Sequence, residues 1–402
     1  MRKFKRIFVI VMDSVGIGYA SDAANFGDPK KNGDVGANTF VHTAEKCGGL
    51  KIPNLNNLGI GDLTNALGTE IKKHPNSYVL KLHEASKGKD TLTGHCEMMG
   101  IMTTKPLVTF TDTGFPKELM DELSKRTGRK LLGNYSSSGT EILKVLGEQA
   151  MKEKALIVYT SADSVLQIAA HVGVIPLEDL YKYCEIARDI TMKPEWKVGR
   201  VIARPFIGDN KDNFERTSDR HDYALDPTGR TAMLDLIDNN YDVIAVGKIH
   251  DIFNGVGCKE SIHTVSNHNG MEITTDLAKN RDFTGLCFVN LVEFDSSYGH
   301  RRNPKGYGEC IEEFDRDIKV FIDNMKEDDL LMITADHGND PTWYGTDHTR
   351  EIVPLICYSK QYKDGKQLKD QNSFACIGKT ILKNFDVKPS PNQIGDVIDE
   401  LL

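Results

Sequence analysis

Apolar and polar residues are distributed along this chain in two rhythms. Short, nearly continuous apolar runs recur as IFVIVMD (7–13), VIAVGK (243–248), LCFVNLVEFD (286–295), LLMITAD (330–336) and VPLICYS (353–359). They lack polar alternation, which is the pattern of parallel-sheet strands covered on both faces. Segments with helical spacing lie between them. FDRDIKVFIDNMKED puts Ile318, Phe321, Ile322 and Met325 at i, i+3, i+4 and i+7, one face of a helix. GRTAMLDLIDNN and FACIGKTILKNF behave alike. Strands alternating with helices predict an α/β core with a mainly parallel sheet sandwiched by helices.

The texture changes between residues 104 and 220. Helical stretches (FPKELMDELSKR, LEDLYKYCEIARDITM) mix there with isolated strands (ALIVYT, GRVIARPFIG), and Ser138 with Glu141 reads as a capping box. The length, about 115 residues, suits a domain. The expected organisation is therefore a discontinuous core, 1–103 and 221–402, interrupted by an α+β domain at 104–220.

Composition narrows the function classes. The 402 residues are 39% hydrophobic and 27% charged, with a net charge of −8. This describes a globular protein and argues against a general binder of nucleic acid or anionic membrane, which would carry a basic excess. Eight scattered cysteines (47, 96, 184, 258, 287, 310, 357, 376) form no C-x-x-C pair, which disfavours a thiolate zinc site and favours a reducing compartment. The opening MRKFKRIFVIVMD imitates a signal peptide, but Asp13 interrupts its short apolar run. No stretch approaches the roughly 20 apolar residues of a membrane span. A cytoplasmic location is expected.

Three of the strand-like runs end in an aspartate: Asp13, Asp295 and Asp336. In open α/β sheets the functional crevice lies at the carboxyl ends of the strands. Carboxylates converging there would raise one another's pKa values unless cations sit between them. His300, His337 and His348 follow at short intervals. A single strand-end aspartate is more often a cap or turn residue, and a single histidine more often a satisfied polar group. Three of each, in step, point to a metal site. Oxygen and imidazole donors without thiolate suit Mn²⁺, Zn²⁺ or Mg²⁺, and Mn²⁺ is the expected ion. A polar, Gly-flanked stretch, SKGKDTLTGHCEMMG (86–100), supplies Thr91 and Thr93. Turn threonines by default bond their own backbone. Metal coordination can take a water pKa from about 15.7 to about 7, roughly 12 kcal/mol, and a comparable gain would make one of them a nucleophile.

Eight motifs, in order from about residue 8 to 358, resemble the phosphopentomutase family of the alkaline phosphatase superfamily. They are VMDSVGIG, GKDTLTGHCEMMG, VYTSADSVLQIAAH, GRVIARPFIG, RHDYALDP, VGKIHDIF, NLVEFDSSYGHRRNPKGY and ADHGNDPTWYGTDHTREIVP. The resemblance implies an alkaline-phosphatase-like core with an inserted cap that excludes solvent. It implies conversion of ribose or 2-deoxyribose 1-phosphate to the 5-phosphate on two Mn²⁺, primed by a sugar bisphosphate such as glucose 1,6-bisphosphate. Asp13, Asp336 and His337 would hold one ion, and Asp295, His300 and His348 the other. Thr91, between them, would be the phosphorylated residue. Ser161 and Asp163 are implied as pentose contacts, with Arg200, Arg204, Arg220 and Lys248 at the distal phosphate. Asp340 and Asp347 would orient histidines from behind. Cys96 stands where the family commonly has Trp, and Glu293 where it usually has Asp, so local packing is open at both. Partners are small pentose phosphates, with no nucleic acid or membrane.

Other readings start from the same residues. A phosphoglycerate mutase would carry Ser at position 91 and a different cap. A metal phosphatase or phosphodiesterase would release inorganic phosphate. A sulfatase needs a C/S-x-P-x-R context that the chain lacks, and a metal-stabilised binding protein would show no turnover.

Overall fold

The computed structural model describes residues 3–161 and 164–402. Arg6–Met12, buried at every position, is the middle strand of a seven-stranded sheet. Across that sheet the order is Glu260–Ile262, Asp242–Gly247, Gly285–Leu291, Arg6–Met12, Asp329–Thr334, Val353–Tyr358 and Ser77–Leu82. The first five pair in parallel. The three central strands are buried on both faces, which is why their sequences do not alternate.

Val353–Tyr358 departs from the parallel expectation: it runs antiparallel to Asp329–Thr334 and to Ser77–Leu82. An apolar run records burial and not direction. Direction follows from the connection, and 335–352 contains no helix to make the crossover that a parallel return requires. The edge strands Ser77–Leu82 and Glu260–Ile262 carry Ser, Lys and Glu, and so lack the continuous apolar signature. The face formed by Ile318, Phe321 and Ile322 belongs to the helix Pro304–Asn324, which Asn303 caps by accepting the Gly306 N–H. Met325 lies one residue past that helix, buried in extended backbone, rather than on its last turn.

The chain divides into two compact units, Met1–Lys105 with Asp226–Leu402, and Pro106–Leu225. Residues 221–224, grouped with the core on sequence grounds, pair antiparallel with Arg200–Ile207 and fall in the second unit. Its six-stranded mixed sheet runs Leu131–Ser136, Leu156–Thr160, Val165–His171, Arg200–Ile207, Glu215–Arg216, with His221–Ala224 also on Arg200–Ile207. Alternate residues of Leu156–Thr160 serve opposite faces. Leu156 and Val158 pack with Leu119, Leu123 and Leu180 from two helices, Lys117–Thr127 and Leu177–Ile190. Ile157 and Tyr159 pack with Ile142 and Leu143 of Gly139–Glu153. Ser138 caps that last helix by accepting the Glu141 N–H at 3.2 Å, while the Glu141 carboxylate turns to Lys144.

All eight cysteines are free thiols. Among the described residues no helix is long and apolar enough to cross a membrane.

Two buried ionisable groups hold the first unit together. Arg6 is fully buried; its fork meets both oxygens of Asp329 at 2.6 and 2.7 Å and the carbonyls of Ala278 and Arg281 at 2.8 Å. Arg6→Met would strand the Asp329 carboxylate, so unfolding free energy from urea titration is expected to fall by about 3–5 kcal/mol. A loss below about 1 kcal/mol would contradict this account of the pair. Glu351, also buried, accepts from Thr39 N and Oγ1, Gly18 N and Thr349 Oγ1, and so joins the connection 335–352 to the segments after the first strand. Burial, then the Asp340 carboxylate, pushes its pKa up to about 7 from an ordinary 4.5. The protonated form is the one the fold favours, so Glu351's contribution is complete below about pH 4.5 and is lost as pH rises through about 7. Relative to Glu351→Gln, the wild type is expected to lose roughly 3 kcal/mol between about pH 4.5 and pH 8 in urea melts. A gap independent of pH would contradict it.

Candidate metal centre

Because Gly285–Leu291, Arg6–Met12 and Asp329–Thr334 are neighbours running in one direction, their carboxyl ends share one rim. Met12 lies opposite Leu291 and Val11 opposite Thr334. The next residues to leave the sheet carry the three aspartates. Asp13 follows its strand directly, Asp336 follows two residues past its own, and Asp295 sits in the π-helical turn Phe294–Gly299. Lys248 comes from the next strand over, Asp242–Gly247, and its charge favours the ionised form of Asp13.

The six acids and imidazoles form two groups, each with one donor atom per residue within 4.8 Å of the others. In the first, His337 Nε2 lies 3.3 Å from Asp336 Oδ2 and 3.5 Å from Asp13 Oδ1. In the second, His300 Nε2 lies 3.1 Å from Asp295 Oδ2, and His348 Nε2 lies 3.1 Å from His300 Nε2 and 3.5 Å from Asp295 Oδ1. The groups adjoin, since the His337 and His348 rings are 4.1 Å apart.

These donors suit cations. His337 Nδ1 donates to Gly338 O and His300 Nδ1 to Thr346 O, so each turns an Nε2 lone pair inward at carboxylates or at another imidazole. Asp13 Oδ1 and Asp336 Oδ2 are buried with no hydrogen-bond partner among the described residues. Burial, with Asp336 and Asp295 adding to it, holds the Asp13 carboxyl well above the usual carboxylate range. Burial acts the same way on Asp295 and Asp336, but the imidazoles in their protonated, cationic form outweigh it: His300 and His348 bring Asp295 well down, and His337 with His95 brings Asp336 down. Burial also lowers His337 against the pull of Asp336. Inward lone pairs, orphaned carboxylate oxygens and a carboxyl that resists ionisation all call for positive charge at this place.

Thr91 opens the helix Thr91–Met98, and its Oγ1 lies 3.1 Å from His337 Nε2. The two threonines separate here. Thr93 Oγ1 donates to Asp90, whose other oxygen accepts the Thr93 N–H and caps the helix. The helix can approach because residue 94 is glycine: a Cβ there would stand 2.2 Å from the Asp336 carbonyl. Cys96, buried on the same helix, packs in the main core. Glu293 exchanges a pair of hydrogen bonds with Asn267.

Several supporting residues gave no sequence signal. Ser14, in left-handed backbone at φ 74°, aims its N–H at Asp336 Oδ1, 3.0 Å away. Asn339 donates to Asp295 Oδ1 at 2.7 Å and accepts from Arg302, which also bonds the carbonyls of Asp340, Gly345 and Asp347. Lys89 bridges Asp34 and Asp347, 3.0 Å to each. Asp340 and Asp347 bond groups around the clustered imidazoles, and the His348 charge acts on Asp347. Asp340 takes His42 Nδ1 and the Asn38 N–H, and Asp347 takes Lys89 and the His348 backbone N–H.

In the second unit, Arg200 and Arg204 share one face of a strand. Asp222 gathers Arg220 at 2.6 Å and Arg200 at 3.6 Å. Arg204 bonds Gln167, and burial, then Arg220, lowers its pKa. Arg216, absent from the sequence-based set, acts on the same Arg204 and on Tyr159. Ser161 directly follows the strand Leu156–Thr160, its carbonyl accepting from Thr111 Oγ1 at 2.8 Å. Asp163 lies outside the described residues.

Comparison with known proteins defines the class. Residues 5–389 match the Metalloenzyme superfamily, whose fold is alkaline-phosphatase-like. Along 100% of both chains, this one is 54% identical to the phosphopentomutase of Clostridium tetani (strain Massachusetts / E88) and 55% identical to that of Clostridium botulinum (strain Alaska E43 / Type E3). It is 54% identical to that of Clostridium perfringens (strain 13 / Type A) over 99% of each chain. The chain belongs to the phosphopentomutase family. It is a metal-dependent phosphotransferase mutase of the isomerase class, acting on small phosphosugars.

Proposed function

We propose that this enzyme interconverts ribose 1-phosphate, or 2-deoxyribose 1-phosphate, and the corresponding 5-phosphate, with Thr91 carrying the phosphoryl group between the two ends. The observation that carries this reading is the position of Thr91 Oγ1, at the head of a helix and 3.1 Å from His337 Nε2, beside three carboxylates and three imidazoles. Asp13, Asp336, His337 and Thr91 would hold one Mn²⁺, and Asp295, His300 and His348 a second. Two divalent ions bound there would outweigh the three carboxylates by one charge, supplying both a counter-charge for a dianionic phosphoryl group and a lowered pKa for the Thr91 hydroxyl.

In the resting form Thr91 Oγ1 carries the phosphoryl group, at a helix N-terminus whose dipole favours the anion. The free 5-hydroxyl of pentose 1-phosphate attacks phosphorus, the bond from phosphorus to Thr91 Oγ1 breaks, and a pentose bisphosphate forms. The bisphosphate turns over. Thr91 Oγ1 attacks the other phosphorus, the bond to the C1 oxygen breaks, and that oxygen takes up the proton the 5-hydroxyl gave. A chain that has lost its phosphoryl group is primed by a bisphosphorylated sugar such as glucose 1,6-bisphosphate. By the family resemblance, Arg200, Arg204, Arg220 and Lys248 are the residues proposed to read the phosphate that is not in transfer, and Ser161 and Asp163 those proposed to read the pentose.

A coupled assay of ribose 1-phosphate to ribose 5-phosphate tests the reading. Activity is expected with Mn²⁺ and a bisphosphate primer, and its loss with chelator. Thr91→Ala is expected to lose on the order of 10³-fold or more in turnover while still binding Mn²⁺ by calorimetry. An active Thr91→Ala enzyme, or inorganic phosphate as the main product, would sink the proposal.

A further inference from the structure

Thr91 is placed by what surrounds its helix. Behind that helix, Asn290 Nδ2 lies 3.3 Å from His95 Nε2. Ahead of it, the lead-in 84–90 is buried at Glu84, Ser86 and Gly88, where backbone groups need partners other than water. Glu97, buried on the Thr91 helix, takes the Ala85 N–H at 2.9 Å and the Ser86 N–H at 2.6 Å. Arg350 takes the carbonyls. Its side chain is 1% exposed and reaches Gly88 O at 2.6 Å and Glu84 O at 2.7 Å. Its other donors go to the Glu84 carboxylate and to both oxygens of Asp22, 3.0 Å away. The guanidinium lies 4.7 Å from the centre of the Phe26 ring.

We propose that Arg350 is a positioning residue for the transfer reaction, its fork fixing the lead-in to Thr91 against the segment that carries His348. A guanidinium has five N–H donors, and all five are used: Nε on Asp22, Nη1 on Glu84 and Gly88, Nη2 on Glu84 and Asp22. Three separate segments thus meet on one rigid plane. Arg350 stands two residues after His348, and Gly88 three before Thr91, so the plane joins the second acid–imidazole group to the threonine. The backbone adds a parallel tie. Asp34 Oδ2 accepts the Arg350 N–H and the Lys89 ammonium, each at 3.0 Å. Gly88 passes the hold onward: a Cβ there would stand 2.5 Å from Thr93 Oγ1 and 2.9 Å from Asp90 Oδ2, so the lead-in lies directly on the first turn of the helix.

Lysine cannot replace this fork. Its ammonium is a point charge with three donors, enough to keep the pairing with Glu84 and Asp22 but not to hold both carbonyls as well. A displacement of about 1 Å in a reacting group costs on the order of 100-fold in rate. The five bonds of the fork end on Asp22, Glu84 and Gly88 and not on the clustered acids and imidazoles, so the hold on Thr91 and the grip on metal are separable. The effect on turnover rests on the reading of Thr91 as phosphoryl carrier; the hold on 84–90 does not.

Arg350→Lys tests this. Hydrogen–deuterium exchange over 84–90 is expected to quicken by about tenfold, with the helix Pro304–Asn324 unchanged, because the Ala85 and Ser86 amides open with the lead-in. In the Mn²⁺-loaded enzyme kcat is expected to fall about 100-fold, with KM within about threefold of wild type. Mn²⁺ affinity by calorimetry is expected to stay within about threefold. A purely structural ion pair would lower the melting temperature and leave kcat per folded enzyme alone. A kcat within about threefold of wild type, or a fall in kcat with exchange at 84–90 unchanged, would overturn the proposal. A fall in Mn²⁺ affinity that matches the fall in kcat would overturn it too. Should the lysine variant not fold, Arg350→Met with Glu84→Leu removes both buried charges and is expected to show the same changes in exchange and kcat. Turnover by Thr91→Ala would instead remove the phosphoryl-carrier reading and leave the exchange result standing.

Discussion

The site depends on the parallel alignment of three adjacent buried strands, Gly285–Leu291, Arg6–Met12 and Asp329–Thr334. Parallel pairing sends their carboxyl ends to one rim, and the chain places an aspartate shortly after each end. The fold thus forces three carboxylates together where water is scarce. Left alone they would take up protons: burial first, and then the repulsion of Asp336 and Asp295, holds Asp13 well above the usual carboxylate range. Imidazoles relieve part of that load at Asp295 and Asp336. A pair of divalent cations would relieve the rest, and the same concentration of negative charge is what would grip them.

A cradle of this kind is only as good as its surroundings, because the lengths and angles that transfer chemistry needs are finer than a loop sets unaided. The loops after the strands are accordingly fastened. Arg302 reaches across to four residues of 339–347, Lys89 joins the segment before Thr91 to Asp347, and Glu351 joins Gly18, Thr39 and Thr349. Backbone at Ser14 sits in a conformation that serine seldom adopts, and in return its N–H meets Asp336.

Strand existence and strand-end chemistry were readable from sequence because burial on both faces leaves an unbroken apolar run, and an aspartate closing such a run stands out. Strand direction was not readable. Val353–Tyr358 looks like its parallel neighbours, and only the lack of a helix in 335–352 distinguishes it. Edge strands escaped because half-wet positions carry Lys, Ser and Glu. Among the supporting residues, Asn290 lies in an apolar strand and His95 inside a helix, each one polar group with its partner 195 positions away; no local pattern joins them. Arg216 escaped because a charged residue in a polar, Gly- and Asn-rich loop reads as solvated surface. The placement of Asp13, Asp295, Asp336 and the three histidines was thus legible, whereas the residues that hold them in place required three-dimensional contact.

Anomalous diffraction at the manganese edge, from crystals grown with Mn²⁺, tests the central claim most directly. Two peaks are expected on the rim, one within bonding distance of Asp13, Asp336, His337 and Thr91 Oγ1, the other of Asp295, His300 and His348. A single peak, or ions held by other residues with Thr91 out of reach of both, would contradict it.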